Sequence, residues 1–205
     1  MTKSICVTVI LLACSVSIGI AIVLNGVSMT GGRIGQAFYS MWSGPDSDGS
    51  CPSAIGGPGA SYEHGVVFTV DSPGFIHSIK VYRFEDPFDT GTRTANLWLN
   101  SDGSNLGTVV FVDDKAPGWH TQLFVPPIAV SAGVQYVASY GDTYGSYVAG
   151  PGGLATAMTA GPITFVASGD DNRGFGNARQ DTIGVYPDTA YAGNYCVDIV
   201  FSEYE

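Results

Sequence analysis

The chain has 205 residues, with 8 Lys and Arg against 18 Asp and Glu, for a formal net charge of −10. So few basic side chains exclude a surface that tracks nucleic-acid phosphates. The length is right for one domain with its own core, and the acidity reads first as solubility.

From Ile5 to Leu24 the chain is apolar and uncharged, directly after Lys3. At about 1.5 Å per residue such a run crosses a hydrocarbon core as a helix, whereas a secretory h-region needs only about 7 to 15 residues. Residues 1–28 are therefore read as one N-terminal apolar helix, either a signal anchor or a signal peptide cut after the small residues Gly26 and Ser28. Leu11-Leu12-Ala13-Cys14 resembles a lipoprotein box, but the apolar run continues past Cys14. Lys3 and the N-terminal amine favour an inside N-terminus. The chain beyond this run is expected to be extracytoplasmic, secreted or anchored to the membrane by residues 5–24.

Residues 29–62 form a Gly-, Ser- and Pro-rich lead-in with a first edge strand at 36–41, around Phe38, Tyr39 and Trp42. Residues 63–205 form the core, where Gly and Pro punctuate short runs of Val, Ile, Thr, Tyr and Phe. That pattern predicts an all-β sandwich or barrel. Further strands are expected at 65–70, 76–84, 94–100, 107–112, 120–125, 134–140, 163–167 and 195–202. Ile76 is out of phase with Ile79 and Val81, so a bulge is expected near His77 and Ser78. In the last run Tyr195, Val197, Ile199 and Phe201 share the face expected to meet the core. Ser72-Pro73-Gly74, Ser101-Asp102-Gly103-Ser104 and Ser131-Ala132-Gly133 carry turn chemistry, and hairpins are expected to close there. No helical period occurs after Leu24, and there is no internal repeat.

The stretches 141–161 and 168–194 do not fit strand spacing and are rich in Gly, Asp and aromatic residues. Asp142, Tyr144, Tyr147, Arg173, Phe175 and Tyr186 lie there, and aromatic rings beside Asp and Arg are what sugar binding uses. The competing reading packs these rings onto the sandwich, and Tyr191 is assigned to packing. Trp98 and Trp119 are read as packing residues too.

Cys51 and Cys196 are the only thiols after the apolar run, and an exported pair predicts a disulfide. No cofactor is expected. Asp46-Ser47-Asp48-Gly49-Ser50 and Asp170-Asp171-Asn172 offer oxygen ligands for Ca²⁺, but the first lacks the third acidic position and terminal Glu of a calcium loop, so metal-free turns are the better reading. His64, His77 and His120 have no metal spacing and are read as strand or surface residues. There is no Gly-x-Ser-x-Gly elbow, and no catalytic constellation supports an enzyme.

Several runs, in chain order, carry a resemblance: 65–74 (Gly-Val-Val-Phe-Thr-Val-Asp-Ser-Pro-Gly), 96–103 (Asn-Leu-Trp-Leu-Asn-Ser-Asp-Gly), Gly118-Trp119-His120-Thr121, 132–140 (Ala-Gly-Val-Gln-Tyr-Val-Ala-Ser-Tyr) and 194–201 (Asn-Tyr-Cys-Val-Asp-Ile-Val-Phe). Over residues 38–201 the chain resembles the DUF4082 family, a domain of unknown function in secreted and cell-surface bacterial proteins. The resemblance implies a jelly-roll-like antiparallel β-sandwich, often an accessory module beside domains of adhesins and carbohydrate-active proteins. It supplies no catalytic residues. The family usually shows Trp where Cys196 stands, a departure that supports the bond to Cys51.

The function expected from these features is a non-catalytic binding or adhesion module at the cell surface. Its candidate partners are a glycan or a cell-surface protein, not nucleic acid. The alternative is a structural subunit of a surface layer, filament or envelope that acts through protein contacts, including self-association.

Overall fold

The computed structural model describes residues 20–24, 27–32, 36–41, 54–56, 61–84, 90–112, 116–151, 154–167, 182–188 and 193–204. In chain order the strands are β1 (Ile20–Leu24), β2 (Val27–Gly32), β3 (Ala54–Gly56), β4 (Tyr62–Val70), β5 (Gly74–Arg83), β6 (Arg93–Leu99) and β7 (Asn105–Val110). They continue with β8 (Gly118–Val130), β9 (Tyr136–Asp142), β10 (Tyr147–Pro151), β11 (Met158–Ala160), β12 (Ile163–Phe165), β13 (Gly193–Asn194) and β14 (Val197–Glu203). The fold is all-β, and every strand pairing is antiparallel.

A six-stranded sheet, in the order β11-β12-β4-β9-β6-β7, and a three-stranded sheet, β14-β5-β8, contribute to one shared core. The period-2 pattern explains which side chains enter it. From the larger sheet come Val66, Phe68 and Val70 of β4, Tyr136, Ala138 and Tyr140 of β9, and Ala95 and Leu97 of β6. From the smaller come Val197, Ile199 and Phe201 of β14, as the last run predicted, with Ile76, Ile79 and Val81 of β5. The bulge falls where the phase required it. Phe201 pairs with Ile76 and Val200 with Ser78, which leaves His77 as the extra residue, and the pairing of β5 with β8 shifts at the same place.

The lead-in strand shrinks to a single bridge, Tyr39 to Phe201, which lies on the edge of β14 that β5 leaves open. Side chains reinforce it, with Gln36 Nε2 donating to Ser202 Oγ at 2.9 Å and the Met41 N–H to Asp198 Oδ1 at 3.0 Å. Asp198, Val200 and Ser202 are therefore as buried as the core face of the same strand.

One expectation is described only in part and two are corrected. First, of the expected helix over residues 1–28, residues 1–19 and 25–26 lie outside the described residues, and Ile20–Leu24 is strand β1, paired with β2 so that Leu24 faces Val27. The two residues between them in sequence, Asn25-Gly26, are the strongest short hairpin signal, and Ile and Val favour the strand. The rest of the run lies outside the described residues, among which no helix is long and apolar enough to cross a membrane. Second, only the turn at 101–104 closes a hairpin, β6 to β7. The chain passes from one sheet to the other at 72–74 (β4 to β5) and at 131–133 (β8 to β9). Turn chemistry sets a chain reversal, not the sheet in which the next strand pairs. Third, the stretch 141–161, read as loop, contains β10 and β11, with Val148 of β10 in the core. These strands are short and β10 pairs with distant β3 and β13, so local spacing carries little trace of it.

Candidate functional site

The described pocket, about 90 Å³, lies at the end of the sandwich where β5 finishes and β6 starts. Val81 and Arg83 come from β5, and Thr90, Gly91, Thr92 and Arg93 lead into β6. Phe111 and Val112 come just after β7, and His120 lies on β8 opposite Val81.

Two guanidinium groups dominate the lining. Arg83 is 4% exposed, and the Arg93 side chain is 11% exposed. A buried guanidinium is tolerated only when a partner offsets its lost hydration. For Arg93 the partner is Asp142, directly opposite on β9, with Nη2 2.7 Å from Oδ2. The other carboxylate oxygen, Oδ1, accepts the Tyr144 N–H at 2.7 Å. The 90–92 segment is tied to the same turn, because the Thr92 N–H donates to Thr143 Oγ1 at 2.8 Å and the Thr143 N–H to Thr92 O at 3.2 Å. Gly91 is dictated by this closeness, since a Cβ there would collide with Asp142 Oδ1 and the backbone nitrogen of Tyr144. His120 is fixed by its Nε2, 2.7 Å from Ala116 O, so that nitrogen carries the proton. Among the described residues the lining offers guanidinium donors, hydroxyls and the Phe111 ring, and none of these lining residues is a carboxylate, serine or cysteine. Its chemistry suits holding a ligand rich in acceptor oxygens.

The expected ligand residues are thus divided. Asp142 and Tyr144 adjoin this pocket, Asp142 buried and acting through Arg93. Tyr147 turns inward, its ring 4.5 Å from His64 and 5.9 Å from Tyr195, as the packing reading has it. Tyr186 lies against Trp98, 6.0 Å between ring centroids, and its hydroxyl donates to Asn100 Oδ1. Arg173 and Phe175 lie outside the described residues, as do both calcium-loop candidates and Tyr191. Among the described residues no cluster of three or more His, Cys, Asp or Glu could hold a metal. Cys196 is fully buried at φ 56°, no disulfide is seen among the described residues, and Cys51 lies outside them. All three histidines lie on strands, and Trp98 and Trp119 are buried.

Two buried titratable groups sit back to back on β4. On the outer face of the large sheet, Glu63 is fully buried and accepts from Asn96 Nδ2 at 2.8 Å, from Ser139 Oγ, and from the Gly184 N–H at 2.9 Å. Burial raises its carboxyl above the usual range, although those hydrogen bonds work the other way. On the inner face His64 sits among Tyr62, Tyr140, Tyr147 and Tyr195. Burial pushes its imidazole down to about 3, so the ring is neutral at physiological pH. Both groups are enclosed within the fold and are structural rather than accessible to a ligand.

Arg83, Arg93 and His120 escape a reading along the chain because strand pairing, not sequence, brings them together. A signal was present, since arginines are scarce in this acidic chain and these two occupy the end of one strand and the start of the next.

No curated protein matches the chain. The family model described as a domain of unknown function, DUF4082, matches residues 51–197, from the expected disulfide partner Cys51 to the first residue of β14. With the sandwich and most of its length accounted for by that match, the chain belongs to the DUF4082 family.

Proposed function

We propose that this protein is an extracytoplasmic, non-catalytic binding module on a jelly-roll-like sandwich, delivered by its N-terminal apolar run and taking a glycan at the end that carries Arg83, Arg93 and His120. The observation that carries the reading is the pocket itself. Val81, Arg83, Arg93 and His120 are held on strands and the 90–92 segment is tied to the turn at Thr143, an arrangement that lowers the cost of binding. Its lining mixes polar donors with an aromatic ring, the mixture that orients a sugar. Tyr144, on the adjoining turn, extends the same surface. The test is a glycan array with the purified chain, wild type against Thr90→Trp, which fills the pocket from its exposed rim. Binding that disappears in a folded Thr90→Trp variant is the expected result; wild-type protein that binds no glycan sinks the reading. N-terminal sequencing with membrane fractionation tells a tethered module from a secreted one.

A second reading, an assembly subunit, is favoured by one feature. Leu106, Val110, Val112 and Val125 are exposed on or beside the edge strands β7 and β8. Open edges with apolar side chains are where sheets join. Light scattering separates the readings: concentration-dependent association lost in Val110→Lys supports assembly, and a monomer at all concentrations opposes it.

A further inference from the structure

We infer that two copies of this chain join through β7, edge to edge and antiparallel, as a closed dimer. This rests on the assembly reading and adds to it the edge, the partner and the stoichiometry.

A sheet edge carries a row of unpaired N–H and C=O groups, which folded proteins blunt with a very short strand, a proline, a charge or a covering segment. Three edges of the two main sheets are blunted in this way. β11 has three residues, the open side of β14 is bridged by Tyr39 of the lead-in, and β8 carries Pro126 and Pro127, which have no N–H to give. β7 has none of these devices along Gly107 to Val110, where its register with β6 is unbroken; the one slip is at Leu106. No charged residue occurs from Gly103 to Val112, and Leu106 and Val110 are exposed.

The free backbone groups follow from the register. The Phe111 N–H donates to Arg93 O, and bonded pairs alternate along an antiparallel ladder. Gly107 and Val109 therefore turn their backbone groups to β6, while Thr108 and Val110 turn theirs outward. Among the described residues none pairs with that outer side. The strand is held in place for a partner, because Gly107 lies so close to β8 that a Cβ would meet Ile128 at 2.5 Å, and Val109 and Phe111 pack against the core.

Charge selects the occupant. At a net charge of −10 two copies repel each other, least where neither contributes a charge. A two-fold antiparallel pairing sets β7 against itself, with no like charges opposed along the strand. It also puts the two C-terminal ends of β7, where Asp113-Asp114 follow in sequence, at opposite ends of the joined strands, whereas a parallel pairing would bring them together. With the other edges blunted, the contact closes at two copies and does not propagate as a filament.

The experiment measures the mass of the full chain by sedimentation as its concentration is raised, with amide hydrogen exchange on the same samples. A monomer to dimer equilibrium is expected, with the Thr108 and Val110 amides exchanging at least about tenfold more slowly in the dimer. Val110→Pro removes an N–H that faces outward and no bond to β6, so it should weaken the dimer at least about tenfold. Val125→Lys, at an exposed position of β8, should leave the dimer unchanged. Association that survives in a folded Val110→Pro variant, or that is lost in Val125→Lys, overturns the β7 contact and leaves the assembly reading standing. Should Val110→Pro fail to fold, the wild-type exchange decides, and a dimer with Thr108 and Val110 unprotected overturns the contact. Mass that grows past two copies overturns the closed pairing. A monomer at all concentrations fells both readings.

Discussion

Lys80 on β5 and Asp198 on β14 face each other directly in the strand register, with Nζ 3.0 Å from Oδ2 and side chains 5% and 0% exposed. Ser40, from the lead-in, completes the cluster by accepting from Nζ at 2.8 Å and donating to the same carboxylate. Nζ also lies 5.0 Å from the centroid of the Trp119 ring. Two buried charges therefore lock the lead-in, β14 and β5 together. Removing one partner leaves the other buried and uncompensated. Asp198→Ala should cost about 3 to 5 kcal/mol in urea unfolding, and the double variant Lys80→Met, Asp198→Leu should recover much of it. A cost for Asp198→Ala within error of zero would show that the pair is dispensable.

Glu63 should make the protein more stable as the medium becomes mildly acidic. Its folded pKa lies above the unfolded value of about 4.5, so the folded state holds the proton more tightly. The contribution is fully present below the unfolded value and is lost as pH rises through the folded one. In Glu63→Gln that part of the pH slope should vanish. Melting temperatures of both proteins across pH 4 to 8 check it; identical slopes refute it.

His64 acts in the opposite direction. Its folded value of about 3 lies below the unfolded 6.5, so the neutral ring contributes stability that is present above 6.5 and lost as pH falls towards 3. The full effect is on the order of 5 kcal/mol. His64 Nδ1 has no hydrogen-bond partner, so His64→Phe gives up no hydrogen bond at that atom and should flatten the acid side of the stability curve. Denaturant midpoints at pH 7 and pH 4.5 measure this. A His64→Phe protein that loses stability on acidification as steeply as wild type would exclude His64 as the cause.

Gly74, at the start of β5, has no room for a side chain. A Cβ there would collide with the backbone oxygen of Ser202 and lie 2.5 Å from the Phe201 ring, so strand backbone would have to move. Gly74→Ala should cost more than about 2 kcal/mol, whereas Gly133→Ala, with open space around its Cβ but φ 69°, should cost about 1 kcal/mol. Thermal unfolding of the two variants ranks them.

Much of the strand pattern was legible in the residues themselves. Val66, Phe68 and Val70, or Val197, Ile199 and Phe201, alternate in the chain as they do in the core, because a pleated strand sends successive side chains to opposite faces. Even the bulge at His77 is explained by the broken phase of Ile76 against Ile79. The pocket was not legible in this way. Asp142 and Tyr144 were found as loop-border candidates, but Arg83 and Arg93 lie 59 and 49 residues before Asp142 along the chain.

Local period and turn chemistry are enough to mark this as an acidic, all-β chain, to place its core strands to within a few residues, and to recognise its family from their order. The packed sheets were needed to show that Ser72-Pro73-Gly74 and Ser131-Ala132-Gly133 carry the chain between sheets, that the lead-in closes the edge of β14, and that Arg83, Arg93 and His120 share one pocket. Each of these depends on pairing between distant strands, which is set by the burial of whole faces at once and not by any neighbouring residues.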